Sequence, residues 1–122
     1  MERIFFIAGS ISALIAVVAG AFGAHGLKNK LAPDLLNIFE VGARYQMYHA
    51  IGLIIVAIAS GRLDSATSLW AGWLFIGGTI LFSGSLYALS LTGTRWLGAI
   101  TPIGGLMFIA GWACLAWAAW QR

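Results

Sequence analysis

Apolar residues run along this chain in four long blocks, separated by short stretches that hold nearly all the charge. Between Arg3 and Lys28 lie 24 residues without Asp, Glu, Lys or Arg; Asp64 to Arg95 leaves 30 and Arg95 to Arg122 leaves 26. Each exceeds the roughly 20 residues with which a helix crosses ~30 Å of hydrocarbon. Arg44 to Arg62 leaves 17, at the lower limit. The pattern predicts an all-α integral membrane protein: four transmembrane helices over about 4–24, 45–60, 68–91 and 97–120. Short connections make successive helices antiparallel, giving an up-down bundle in one domain, 1–122.

Local signals refine each block. In the first, Ala8, Ser12, Ala16, Gly20 and Ala24 recur every four residues. Such a stripe of small residues lets a neighbouring helix approach closely, and Ala16, Gly20 and Ala24 are the expected packing positions. The first loop, 25–33, carries His25, Lys28 and Lys30; Pro33 then suits a first helical turn, and Asp34 sits where the helix dipole favours an anion. Residues 34–44 read as an amphipathic helical lead-in, interfacial or standing beside the bundle and continuing into the span at about 45–60, with Glu40 preceding Arg44 in the favourable i,i+4 order. The second loop, Gly61 to about Thr67, contains Arg62 and Asp64. Trp70, Trp73, Trp96, Trp117 and Trp120 cluster at span ends, as an aromatic belt requires. Pro102 either kinks the fourth span and frees the carbonyl of Gly98, or follows Thr101 as N-cap; the second reading is favoured.

Composition agrees. The 122 residues are 61% hydrophobic and 9% charged, with mean hydropathy +0.91, whereas a soluble domain has roughly 25% charged residues. The lipid bilayer is the partner this implies. The net charge of +3 is scattered over span ends, which speaks against nucleic acid, whose readers carry a basic patch or stripe. Protein partners are not specified; a small homo-oligomer is compatible. Cys114 is the only cysteine, so no intramolecular disulfide forms, and it reads as a small buried apolar residue. The positive-inside rule favours a cytoplasmic first loop with both termini outside, by one charge: Lys28, Lys30, Arg44 and Arg95 against Arg3, Arg62 and Arg122.

Within this topology, polar side chains gather toward one membrane face. His25 ends the first span there; Gln46 and His49 lie early in the second; Ser83, Tyr87, Ser90 and Thr94 recur at helical spacing late in the third; Thr101 opens the fourth. Polar groups in hydrocarbon are costly unless paired, so they should meet inside the bundle. Three readings follow for the candidate cluster His25, Gln46, His49, Ser83, Tyr87 and Thr101. It holds the bundle together; or it forms a small permeation or binding site with a titrating histidine; or two histidines ligate a haem. Zinc needs more ligands than two histidines supply. No cofactor or metal is expected. Nucleophile-elbow, zinc-protease and phosphate-loop motifs are absent, as are paired carboxylates, so the chain reads as non-enzymatic. A small multidrug exporter would place a Glu in the first span, and 4–24 contains no acid.

Three runs together carry a resemblance: Gly20-Ala21-Phe22-Gly23-Ala24-His25-Gly26-Leu27; Tyr45-Gln46-Met47-Tyr48-His49-Ala50; and Phe82-Ser83-Gly84-Ser85-Leu86-Tyr87 with Thr101-Pro102-Ile103-Gly104-Gly105. In order and spacing, over nearly the whole chain, they resemble the domain of unknown function 423 family of small bacterial inner-membrane proteins. The resemblance implies four spans, a bacterial plasma-membrane location and retention of the amino-terminal run, which otherwise has the look of a signal peptide with Ala19-Gly20-Ala21 as cleavage site. It implies no activity. The expected role is structural or membrane-organising, with a small transporter or channel component as the alternative.

Overall fold

A computed structural model describes residues 2–121, except the Ser65 side chain. Arg122, one of the charges in the positive-inside balance, lies outside the described residues. Four α-helices follow in order: α1 Glu2–His25, α2 Pro33–Ala59, α3 Ser65–Thr92 and α4 Thr101–Trp120, with a 3-10 helix Arg95–Ala99 leading into the last. All four spans are long and apolar enough to cross a membrane, the fourth counted from Arg95. Successive helices pack on one another, α1 on α2, α2 on α3 and α3 on α4. Phe5 of α1 also meets Trp73 of α3 edge-on at 5.3 Å, and Phe108 of α4 reaches His49 of α2. α2 and α3 are thus the inner pair, flanked by α1 and α4.

The helix ends follow from local chemistry. Pro33 stands at the start of α2, where its missing N–H costs nothing. The Asp64 carboxylate caps α3, accepting from the Thr67 amide at 3.1 Å and the Thr67 hydroxyl at 2.6 Å; these bonds hold its carboxyl below the usual range. α3 ends at Gly93, whose φ of 73° is left-handed backbone that a Cβ disfavours. The fourth helix starts differently from the expectation. Ile100 is the N-cap, Thr101 and Pro102 are the first two helical residues, and no side chain caps the turn. α4 begins against α3, so the Thr101 hydroxyl pairs with Ser85 Oγ at 2.6 Å instead of with its own first turn.

The lead-in 34–44 continues without a break into the span, and part of it packs inside the bundle. At 27 residues and 1.5 Å per residue, α2 is about 40 Å long. Phe39, Gly42 and Ala43 are buried in the bundle. Gly23 of α1 makes room for Phe39, since a Cβ there would lie 3.0 Å from its ring. Gly42 likewise admits the Tyr87 ring. Glu40 and Arg44 border a shallow groove beside Ala16 and Gly20 and form no ion pair, an exposed i,i+4 pair being worth only a few tenths of a kcal/mol. The ion pair among the described residues is Arg95 Nη2 to Asp34 Oδ2 at 2.7 Å, which ties the third connection to the start of α2.

The packing face of α1 also departs from the four-residue stripe. Its buried residues are Phe5, Gly9, Ala16 and Gly23. Of the expected trio, Ala16 is buried, but Ala24 is exposed and a Cβ at Gly20 would meet nothing within 4 Å. At 100° per residue a step of four overshoots one turn by about 40°, so the stripe from Ala8 to Ala24 winds about 160° around the helix. The observed steps of four and seven stay on one side, as in a left-handed crossing. The tightest approaches to the backbone of another helix are at Gly9, where a Cβ would lie 2.7 Å from the Ala50 carbonyl, and at Gly104, where it would lie 2.5 Å from the Phe82 nitrogen and 2.9 Å from the Gly78 carbonyl.

An apolar core of Phe5, Leu53, Val56, Ala71, Phe75 and Phe108 joins all four helices. It fills the half of the bundle nearer the amino terminus, with Cys114 partly buried against it. Gly104→Ala should destabilise the protein by about 1–3 kcal/mol, because backbone atoms cannot yield to the methyl group. Gly20→Ala should be neutral or slightly stabilising. Thermal unfolding in one detergent ranks the two.

Candidate functional site

α2 carries the polar side chains that reach the other three helices. Gln46 is buried, 5% exposed. Its Nε2 donates to the Ser12 carbonyl and to Ser12 Oγ, both at 3.1 Å, while the Tyr87 hydroxyl donates to its Oε1 at 2.6 Å. A backbone carbonyl only accepts, so the amide can stand only this way round. One side chain thus bridges α1 and α3.

His49, one turn on, faces the opposite flank. Its Nδ1 lies 2.7 Å from the Tyr45 carbonyl and therefore carries the proton. Its Nε2 then presents a lone pair, which accepts from Trp112 Nε1 at 3.0 Å. Both ring nitrogens are used, in one tautomer of the neutral imidazole; a charged ring would set two N–H donors against each other. The ring lies flat on Phe108, centroids 3.5 Å apart and planes within 5°, and Phe75 meets it edge-on at 5.4 Å. The sequence pattern flagged His49 but not Trp112. Its distance from the chain end was the available signal: it lies eight residues before Trp120, about 12 Å inward.

Three serine hydroxyls close locally or across helices. Ser83 Oγ donates to the Gly42 carbonyl at 2.7 Å, Ser85 joins Thr101, and Ser90 Oγ donates to the Tyr87 carbonyl at 3.0 Å. Among the described residues, Thr79 Oγ1 is a buried side-chain polar atom without a partner.

The structure therefore brings together Gln46 with Tyr87, Ser83 with the α2 backbone, and Thr101 with α3. It does not bring His25 to them. His25 is exposed at the last position of α1. Gly9 of the same helix is level with Ala50, so His25 lies 16 residues, about 24 Å, along the axis from the level of His49. The two histidines cannot share a haem iron or any other ligand. The expectation rested on shared membrane half; the length of α1 beyond Ser12 overrides it. No group of three or more potential metal-ligating side chains occurs among the described residues.

Removing single partners tests the network. Tyr87→Phe leaves Gln46 Oε1 unpaired and should lower stability by about 0.6–1.7 kcal/mol, the range of hydrogen bonds inside membrane proteins. Gln46→Leu should cost no less, because it also orphans Ser12. A double-mutant cycle by reversible unfolding should show coupling between positions 46 and 87 and none between 46 and 112.

The motifs that supply these side chains also place the chain among known proteins. The family described as "Protein of unknown function (DUF423)" matches residues 19–105, a stretch that holds all three motif runs. A UPF0382 membrane protein of Staphylococcus haemolyticus is 52% identical over 113 residues, 93% of this chain and 92% of its own length. The UPF0382 membrane protein YwdK of Bacillus subtilis is 49% identical over 118 residues, 96% of each. No solved structure matches. With half of its residues shared over nearly its full length, and four helices of spanning length and hydropathy, this chain is an integral membrane protein that belongs to the DUF423 family.

Proposed function

We propose that the protein is a structural, membrane-organising helical module whose polar network holds its own bundle and conducts nothing. The observation that carries this is the pairing of Gln46 and His49: each polar atom of either side chain is hydrogen-bonded within the chain, and the histidine is complete in its neutral form. A permeation site needs polar groups that turn toward a water path and exchange partners. Here the same groups are spent on Ser12, Tyr45, Tyr87 and Trp112, and aromatic rings pack against the imidazole. The role is non-enzymatic, in keeping with the absence of paired carboxylates or an activated nucleophile in the sequence.

The location that fits is the bacterial cytoplasmic membrane, with the first loop on the cytoplasmic side and both termini outside. Lys28, Lys30 and Arg95 lie at the end of the bundle that holds the first and third connections, against Arg3 and Arg62 at the other end among the described residues, a lead of one charge that supports this orientation by the positive-inside rule. Small homo-oligomers accord with the apolar outward faces of α1 and α4, and nothing in the chain points to nucleic acid.

The test is flux through proteoliposomes. Purified protein should give proton and small-cation leak no greater than empty vesicles. His49→Ala should lower thermal stability without altering leak. Protein-dependent flux abolished by His49→Ala would replace this reading with a transporter or channel.

A further inference from the structure

The groove between α1 and α2 has Ala16 and Gly20 on its α1 side and Glu40, Ala43, Arg44 and Met47 on its α2 side. Its volume is about 240 Å³, below the roughly 300–1,000 Å³ of small-molecule sites, so it suits a contact face and not a ligand cavity. Glu40 is half-buried there and Arg44 is exposed, and among the described residues neither charge has an ion-pair partner. Beside them Gly20 leaves a gap: a Cβ on it would find no atom of this chain within 4 Å.

The charges stand against a helix that has nothing to offer them. Between Ser12 and His25 every residue of α1 is apolar. Val17 and Ala24 lie within about 60° of Gly20 around the axis and within about 6 Å of it along the axis, at 100° and 1.5 Å per residue. Both are exposed, Val17 at 60%. On α2, Ile51 follows Arg44 by two turns on the same side and is 49% exposed. Acyl chains cover these apolar side chains but leave Glu40 and Arg44 without partners, and an unpaired charge away from water is costly. Water solvates the charges and leaves the apolar side chains bare. A surface that carries one carboxylate, one guanidinium and small apolar residues between them is instead complementary to a copy of itself.

We propose that this face is a self-association surface. Two copies of the chain, inserted in the same sense, meet about a two-fold axis that passes beside Gly20, with Glu40 of each paired to Arg44 of the other. A two-fold interface uses one patch twice, so each such contact is made reciprocally and both charges of both copies are paired at once. Glu40 and Arg44 are offset by about 6 Å along α2, the offset that i,i+4 pairs bridge within a single helix. The gap at Gly20 lets the second copy approach closely, which matters where van der Waals contact drives helix association. The interface goes beyond the structural role proposed above, and it needs no change in the bonds of Gln46 and His49.

The experiment reads association of the full chain in liposomes of phosphatidylethanolamine and phosphatidylglycerol, by energy transfer between copies labelled at the amino terminus. The parent chain should form dimers. Glu40→Arg and Arg44→Glu each set like charges against one another and should weaken association by about tenfold or more. An equimolar mixture of the two variants brings unlike charges together at both contacts and should associate as the parent does. So should the double variant Glu40→Arg/Arg44→Glu by itself. Recovery in the mixture shows that each variant is folded and that the pairing is between copies. In a Cys114→Ala background, Gly20→Cys should cross-link to itself on mild oxidation, whereas Ile109→Cys, 67% exposed on α4, should not. A chain that stays monomeric, single variants that associate like the parent, no recovery in the mixture, or equal cross-linking at the two cysteine positions each overturn the proposal. So does a monomer in which the two charge reversals change only the phospholipid retained through purification, which would give the groove to a lipid headgroup. Vesicle leak does not enter these readings, so the interface and the structural role fail separately.

Discussion

The rest of the structure depends on pairing the polar atoms of α2 where no water is available. In hydrocarbon a helix satisfies its own backbone, and side-chain amides, imidazoles and phenols must find partners on neighbouring helices. Gln46 takes one from α1 and one from α3, and His49 takes one from α4. These bonds are individually weak, but each is directional, and together they allow one rotation of α2 about its axis. Apolar packing alone discriminates poorly between rotations, because lipid tails and leucine side chains are equally good neighbours.

Once α2 is set, the glycines decide how near the others come. Gly9 brings α1 onto Ala50, Gly42 accepts Tyr87, Gly52 accepts Phe75, and Gly104 brings α4 to the backbone of Phe82. Close approach is what makes the hydrogen bonds short enough to form, and the bonds in turn keep the small residues facing inward. The bundle is accordingly divided along its length. Phe5, Leu53, Val56 and Phe75 fill the end nearer the amino terminus, and the polar network occupies the middle and the end nearer the first loop. The His49–Phe108 stack lies where the two meet.

Much of the fold was legible in the chain because charge cannot be hidden in a bilayer. Runs without ionisable residues had to be spans, and their boundaries agree with the helices to within a few residues, except at α2. There Glu40 and Arg44 disguised a helix that is buried on one side and wet on the other, and Phe39 and Gly42 were the apolar positions that belonged to the bundle. The candidate site was half legible. Gln46, His49, Ser83, Tyr87 and Thr101 are polar residues that need partners in a hydrocarbon setting, and each has one. His25 shared their membrane half without sharing their depth. Trp112, inside the fourth span, had no role assigned from the sequence.

By itself, then, the sequence determined the membrane class, the number of crossings, their alternation and the set of polar residues needing partners, since these follow from transfer free energies and helix length, which are local. Tertiary structure alone decided which partner each polar group takes, and that Gly104 lies against the backbone of α3 while a Cβ at its neighbour Gly105 would meet Phe82 only at 3.8 Å. It also decided that α1 packs through Phe5, Gly9, Ala16 and Gly23, and not through the stripe that ends at Gly20 and Ala24. The reason is geometric. Azimuth and depth of a side chain depend on how neighbouring helices cross and slide, and a few ångströms or about 40° of rotation separate a buried contact from a face turned to lipid.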